Sequence, residues 1–196
     1  MKERRYKEEY SLETSMDDKG RFVQKPVYQG DYYWLPGSMN ARTLAKTCLP
    51  YLGVFIAVYV LYLRANSPSS RCMYVLPFAA CACIPMFYAV MGAFAMLRAP
   101  RRMTHVQREN GIGRLMRSCM GCGVLTGIAA AGDIVYMALG GHYAREGFAF
   151  AMLAIACIAG FAGFKAAKAV YSALMTETGA AARERAQNAS QEGDAQ

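Results

Sequence analysis

The chain has 196 residues, 55% of them hydrophobic and only 18% charged, with a formal net charge of +8. That length fits one domain with tails, the apolar content excludes a disordered chain, and a soluble domain would carry nearer a quarter charged residues. A mean hydropathy of only +0.11 therefore implies that apolar and polar residues are segregated along the chain.

Residues 1–43 make a polar N-terminal tail. Within it, Asp18-Lys19-Gly20 is a turn signal between two partly alternating stretches. That pattern fits a β-hairpin with Phe22, Val27 and Tyr28 on one apolar side; the alternative is a disordered tail, since an isolated hairpin is marginal in water. Tyr28, Tyr32, Tyr33 and the only tryptophan, Trp34, follow closely. Their amphipathic rings suit the headgroup layer, so they read as an interfacial anchor, with recognition of a partner or lipid as the sharper alternative. Pro36-Gly37 marks a turn, and Ser38 or Asn40 can cap the helix that follows.

Four apolar blocks come next, over about 44–63, 72–97, 118–140 and 147–174. Each is long enough to cross a hydrocarbon core of about 30 Å as a helix. The second has no charged residue and no polar stripe, unlike a helix of a soluble bundle. The first begins too far into the sequence for a cleaved leader. Pro77 and Pro85 lie in the second block, where each removes a backbone donor and predicts a kink supported by neighbouring helices. Between the halves no convincing repeat is visible.

The third block carries Gly123, Gly127 and Ala131 at four-residue spacing, and the fourth carries Ala156, Gly160 and Gly163. Such strips let helices approach closely. They predict packing of the third span on the fourth, with homodimerisation through the same face as the alternative. Asp133 is the one acidic residue in the spans as drawn. An intramembrane carboxylate is a functional candidate by default. Its place about 9 Å from the outer end also allows an interfacial role or a pairing with Arg71, His142 or Arg145.

The lysines and arginines alternate along the chain: nine up to Lys46, two in the first loop, six in the second, one in the third, and four from Lys165 onward. Basic residues stay on the cytoplasmic side. Both termini and the second loop are therefore expected to be cytoplasmic, in a cell membrane. The second loop holds Arg98, Arg101, Arg102, Arg108, Arg114 and Arg117. Arginines at a membrane boundary suit contacts with anionic lipid, beside the simpler role of fixing topology. Nucleic acid is not an expected partner, because no stacking platform accompanies them. His105 reads as idle.

The seven cysteines include Cys119-x-x-Cys122, a metal-pair spacing that would need further ligands. In apolar helices thiols behave as small hydrophobes, so no metal, cofactor or disulfide framework is expected. Enzyme signatures such as G-x-S-x-G, H-E-x-x-H or a Walker loop are absent from the sequence.

The expected fold is all-α: a four-helix transmembrane bundle at 44–174, a short N-terminal region that allows a hairpin, and a disordered cytoplasmic tail over 175–196. The expected function is non-enzymatic assembly with another membrane protein or with itself, as an accessory subunit, scaffold or immunity-type factor. The alternative is a small transporter or channel using Asp133, the kinked second span, Tyr59, Tyr62 and Tyr136. The charge pattern makes a direct prediction. A reporter enzyme active only outside the cytoplasm should work when inserted near Ser67 or Gly141 and fail near Thr104; the reverse pattern would overturn the topology.

Overall fold

A computed structural model describes residues 10–16, 22–34, 41–65, 67–139 and 143–178. Strands β1 (Tyr10–Met16), β2 (Phe22–Tyr28) and β3 (Tyr32–Trp34) precede helix α1 (Ala41–Ala65). A 3-10 turn, Pro68–Arg71, leads to α2 (Leu76–Cys81) and α3 (Cys83–Leu97). Next come β4 (Arg102–Thr104), α4 (His105–Arg108), a π-helical turn at Glu109–Gly113 and α5 (Arg114–Ala138). The long α6 (Tyr143–Ala173) and β5 (Met175–Glu177) close the described chain.

Four stretches are long and apolar enough to cross a membrane: Lys46–Ala65, Leu76–Leu97, His105–Ala138 and Glu146–Ala173. They coincide with the expected blocks, except that the third starts at His105 rather than Ser118. The extension is polar and amphipathic, so an apolar window misses it. Helix α6 packs on α5 and α1, and α3 packs on α5 and α1, which closes a four-membered bundle. Its interior holds small residues with a few large ones, among them Ala129, Ala149, Ala156, Phe55, Tyr59 and Leu153. Its outer surface exposes Val54, Ile84, Phe87 and Ile158. Small residues inside and large apolar ones outside is the distribution expected where lipid, not water, surrounds the helices.

The second span is broken at Ala82 between α2 and α3. Pro85 offers no donor to the carbonyl one turn back, and its ring crowds that turn. Beside the break, the Tyr59 hydroxyl of α1 donates to the Ala79 carbonyl and lies 3.3 Å from Cys83 Sγ. Pro77 sits in the first turn of α2, where a missing N–H is harmless.

The α5–α6 crossing uses the predicted glycines. A Cβ at Gly160 would lie 2.7 Å from the Gly123 nitrogen and 2.8 Å from its Cα. Gly127 meets Cys157, Gly163 meets Cys119, and Ala156 is buried. The strips are therefore spent within one chain. Ala131 is exposed, contrary to expectation. Four-residue steps advance about 40° beyond a full turn each, so after two steps the strip has rotated off the contact face, and Ala130 is buried there instead.

The chain is not all-α. Strands β4, β3 and β5 form an antiparallel sheet in that order, with Tyr33 opposite Met103 on one side and Thr176 on the other. Met103 points into a small core with Met96, Ile112 and Val170. Met175–Glu177, assigned from sequence to a disordered tail, is thus an edge strand. Two spans separate β3 from β4 and two separate β4 from β5, so all three strands sit at one end of the bundle. Strands β1 and β2 pair antiparallel; their connection at Asp18-Lys19-Gly20 lies outside the described residues, as do Pro36-Gly37, Ser38 and Asn40. Register puts Tyr10, Leu12, Phe22 and Tyr28 on one face, because faces alternate with period two; the Val27 side chain lies outside the described residues.

The backbone crossing can be tested directly. Gly160→Leu should destabilise the protein by about 2 kcal/mol or more through overpacking. Gly53→Ala, where nothing lies within 4 Å, should leave it unchanged. Thermal unfolding in mild detergent reads both.

Candidate functional site: a buried carboxylate pair

The antiparallel α5–α6 pair sets the last turn of α5 beside the first turn of α6. This brings Asp133 together with Glu146, both 0% exposed. The 3-10 turn Pro68–Arg71 covers them. Its Ser69 backbone N–H donates to Glu146 Oε1 at 3.3 Å, and the Ser67 and Ser69 hydroxyls lie 3.2 Å apart. The Ser70 hydroxyl braces the turn by donating to the Ser67 carbonyl at 2.6 Å. Tyr62, one turn from the end of α1, faces both carboxylates and is 2% exposed.

Asp133 lies against Ser69 and Glu146, yet neither of its oxygens has a hydrogen-bond partner of regular geometry. Glu146 Oε2 and the Tyr62 hydroxyl are likewise unpartnered. Of the basic partners named from sequence for Asp133, His142 and the Arg145 side chain lie outside the described residues, and Arg71 is exposed. Two carboxylates removed from water side by side need a proton or a positive charge between them, since like charges in low dielectric repel strongly.

Every donor here is oxygen: two carboxylates, a phenol and two serine hydroxyls. Hard oxygen sets suit protons and alkali or alkaline-earth cations rather than soft metals. The cysteines stand apart. Cys119 and Cys122 are buried among apolar side chains on α5, and the described residues contain no cluster of three or more His, Cys, Asp or Glu side chains.

The arginines and aromatics predicted as lipid contacts and anchors lie at the opposite end, around the sheet. The Arg108 guanidinium is stacked between Tyr33 and Tyr171, 4.2 Å and 4.0 Å from the ring centres. The Tyr171 hydroxyl donates to Glu109 Oε1 at 3.0 Å, and Arg117 pairs with Glu109 Oε2 at 3.0 Å. Arg102 lies 3.9 Å from Glu177. Arg114 donates to Asn110 at 3.1 Å, while Arg98 and Arg101 are exposed. Tyr28 packs edge-on against Tyr10 and Tyr32, and its hydroxyl accepts from the His105 backbone at 3.2 Å. Tyr32 and Trp34, half-buried, flank Tyr33 in the central strand.

Glu146 is the residue of the candidate site that the sequence reading misses. It stands just before the fourth apolar block, beside Arg145, where it reads as loop. An acid in the first turn of a helix is ordinary on dipole grounds alone, so only its pairing across the α5–α6 turn distinguishes it. No protein-family model, curated protein or solved structure matches the chain.

The burial of the two acids has a measurable consequence. Asp133→Asn keeps the shape and removes one buried charge. In cation-depleted buffer it should raise stability by about 1–3 kcal/mol. A lower unfolding midpoint for the variant would mean that the carboxylate is already satisfied.

Proposed function

We propose that this is a small multi-pass membrane protein that takes up a proton or a small metal cation at Asp133 and Glu146, as the binding step of a transporter or channel. The observation that carries this reading is the burial of two adjacent carboxylates with three unpartnered oxygens and a facing, unpartnered phenol. Evolution rarely leaves such groups buried without a ligand, because each unsatisfied polar atom destabilises the fold by about 1–3 kcal/mol. A cleft of about 110 Å³ in the side of the bundle is lined by Tyr62, Leu63, Ser70, Leu76, Ala79 and Ala80. It borders the proline-broken span, whose two short helices can shift without disrupting a continuous ladder of hydrogen bonds. On the charge pattern the arginine-rich end faces the cytoplasm, which puts the acids near the outer face.

Assembly with a partner protein is the second reading, and one observation favours it. The β1–β2 pair leaves Leu12 67% and Phe22 76% exposed on one face, which is more apolar surface than a free two-stranded ribbon tolerates in water.

The two readings separate in reconstituted vesicles. Wild-type protein should pass protons or alkali cations, followed with a pH dye and with cation-sensitive dyes in parallel. Asp133→Asn and Glu146→Gln should each cut the flux at least about tenfold in protein that still melts cooperatively. Vesicles silent to every dye, with no cation or pH change altering the melting midpoint, would sink the cation reading. A stoichiometric partner retained in mild detergent and released by Leu12→Ser with Phe22→Ser would support assembly.

A further inference from the structure

At the arginine-rich end a groove of about 480 Å³ runs between α3 and the start of α5. Met91, Phe94 and Ala95 of α3 form its apolar wall, and Arg98, Asn110 and Arg114 form its polar end. We propose that this groove holds a single anionic phospholipid, with its phosphate between Arg98 and Arg114 and an acyl chain along Met91 and Phe94.

Three features carry the assignment. The first is position. The wall belongs to the span Leu76–Leu97, and Arg98 is the residue immediately after it. The groove thus changes from apolar to cationic where a hydrocarbon layer gives way to headgroups. Phe87 and Tyr88 continue the exposed apolar surface along the same helix.

The second is charge. No acidic residue lines the groove. Glu109, the nearest acid in sequence, is taken up on another side by Arg117 and Tyr171. Arg102 and Arg108 are directed into the sheet by Glu177, Tyr33 and Tyr171. Of the six arginines, Arg98 and Arg114 are therefore the two that face a common recess. Asn110 accepts from Arg114 through Oδ1, which leaves its amide nitrogen to donate to a phosphate oxygen.

The third is rigidity. The π-helical turn at Glu109–Gly113 contains Asn110 and is followed directly by Arg114, and such turns are frequent at functional sites. It is clamped to α3 at Gly92, where a Cβ would lie 2.9 Å from the Leu115 nitrogen and 3.0 Å from the Gly111 carbonyl oxygen. The arginines are thus held on two helices whose spacing is fixed, so planar, bidentate contacts to phosphate need little further ordering.

The proposal is independent of the carboxylate site at the other end. Its test uses full-length protein in uncharged detergent, with phosphatidylglycerol and phosphatidylcholine of identical acyl chains added separately. Native mass spectrometry should show one phosphatidylglycerol retained per chain, with phosphatidylcholine bound at least about tenfold more weakly. Arg98→Gln with Arg114→Gln should abolish that preference, and Arg98→Gln alone, at an exposed position, should weaken it. Arg101→Gln, which removes an equal charge nearby, should leave it intact. Equal retention of both lipids by the wild type would overturn the proposal, as would an Arg101→Gln effect as large as that of Arg98→Gln.

Discussion

The fold depends on one close approach, the crossing of α5 and α6 where Gly160 lies against the Gly123 backbone. In lipid there is little hydrophobic force between helices, so dispersion contacts over a well-fitted surface must hold them. Without a side chain at either position the two backbones touch, and Gly127, Ala156 and Gly163 extend the fit along the pair. Helix α6 then presents its other face to α1, so the crossing sets the position of the first span as well. It also fixes the level at which the acidic turn of α6 meets α5. Were the helices held apart by a larger residue, Glu146 and Asp133 would separate and water would reach both.

The two ends of the bundle solve the problem of polar groups in opposite ways. At the sheet end most charges are matched: Glu109 serves Arg117 and Tyr171, Glu177 lies near Arg102, and Arg108 is sandwiched by two rings, while Arg98 and Arg114 face the groove. At the acidic end, buried carboxylate oxygens of Asp133 and Glu146 lack a hydrogen-bond partner among the described residues. Matched charges rigidify, whereas unmatched ones make occupancy energetically consequential, because a cation entering such a place gains the attraction that the protein itself withholds.

The spans were legible because twenty apolar residues in a row have few other structural meanings. The break near Pro85 and the glycine strips were legible for the same local reason. The three-residue strands were not. Tyr32–Trp34, Arg102–Thr104 and Met175–Glu177 become strands only because the bundle brings them together, and no period can be read from three residues. The candidate site was half legible. Asp133 stands out against an apolar helix, but its partners Glu146, Ser69 and Tyr62 come from three other segments. Tyr62 reads only as a path-lining ring, and Glu146 and Ser69 are ordinary where they stand in the sequence. The arginine loop was visible as charge, while the division between arginines turned inward and those left outward rests on contacts with residues far away in the chain, such as Tyr33 and Glu177.

The small sheet has a consequence for biosynthesis. Strand β3 is its centre and is made first, before any span. Its partner β4 emerges after two spans, and β5 only after all four. A ribosome-bound chain therefore carries a central strand with both edges open until the second span has been made and one edge open until the last, and the final pairing requires an even number of crossings between each strand and the next. A chain with one span skipped would leave β5 stranded on the wrong side. Closure of three residues of β-ladder thus depends on correct insertion of every helix before it.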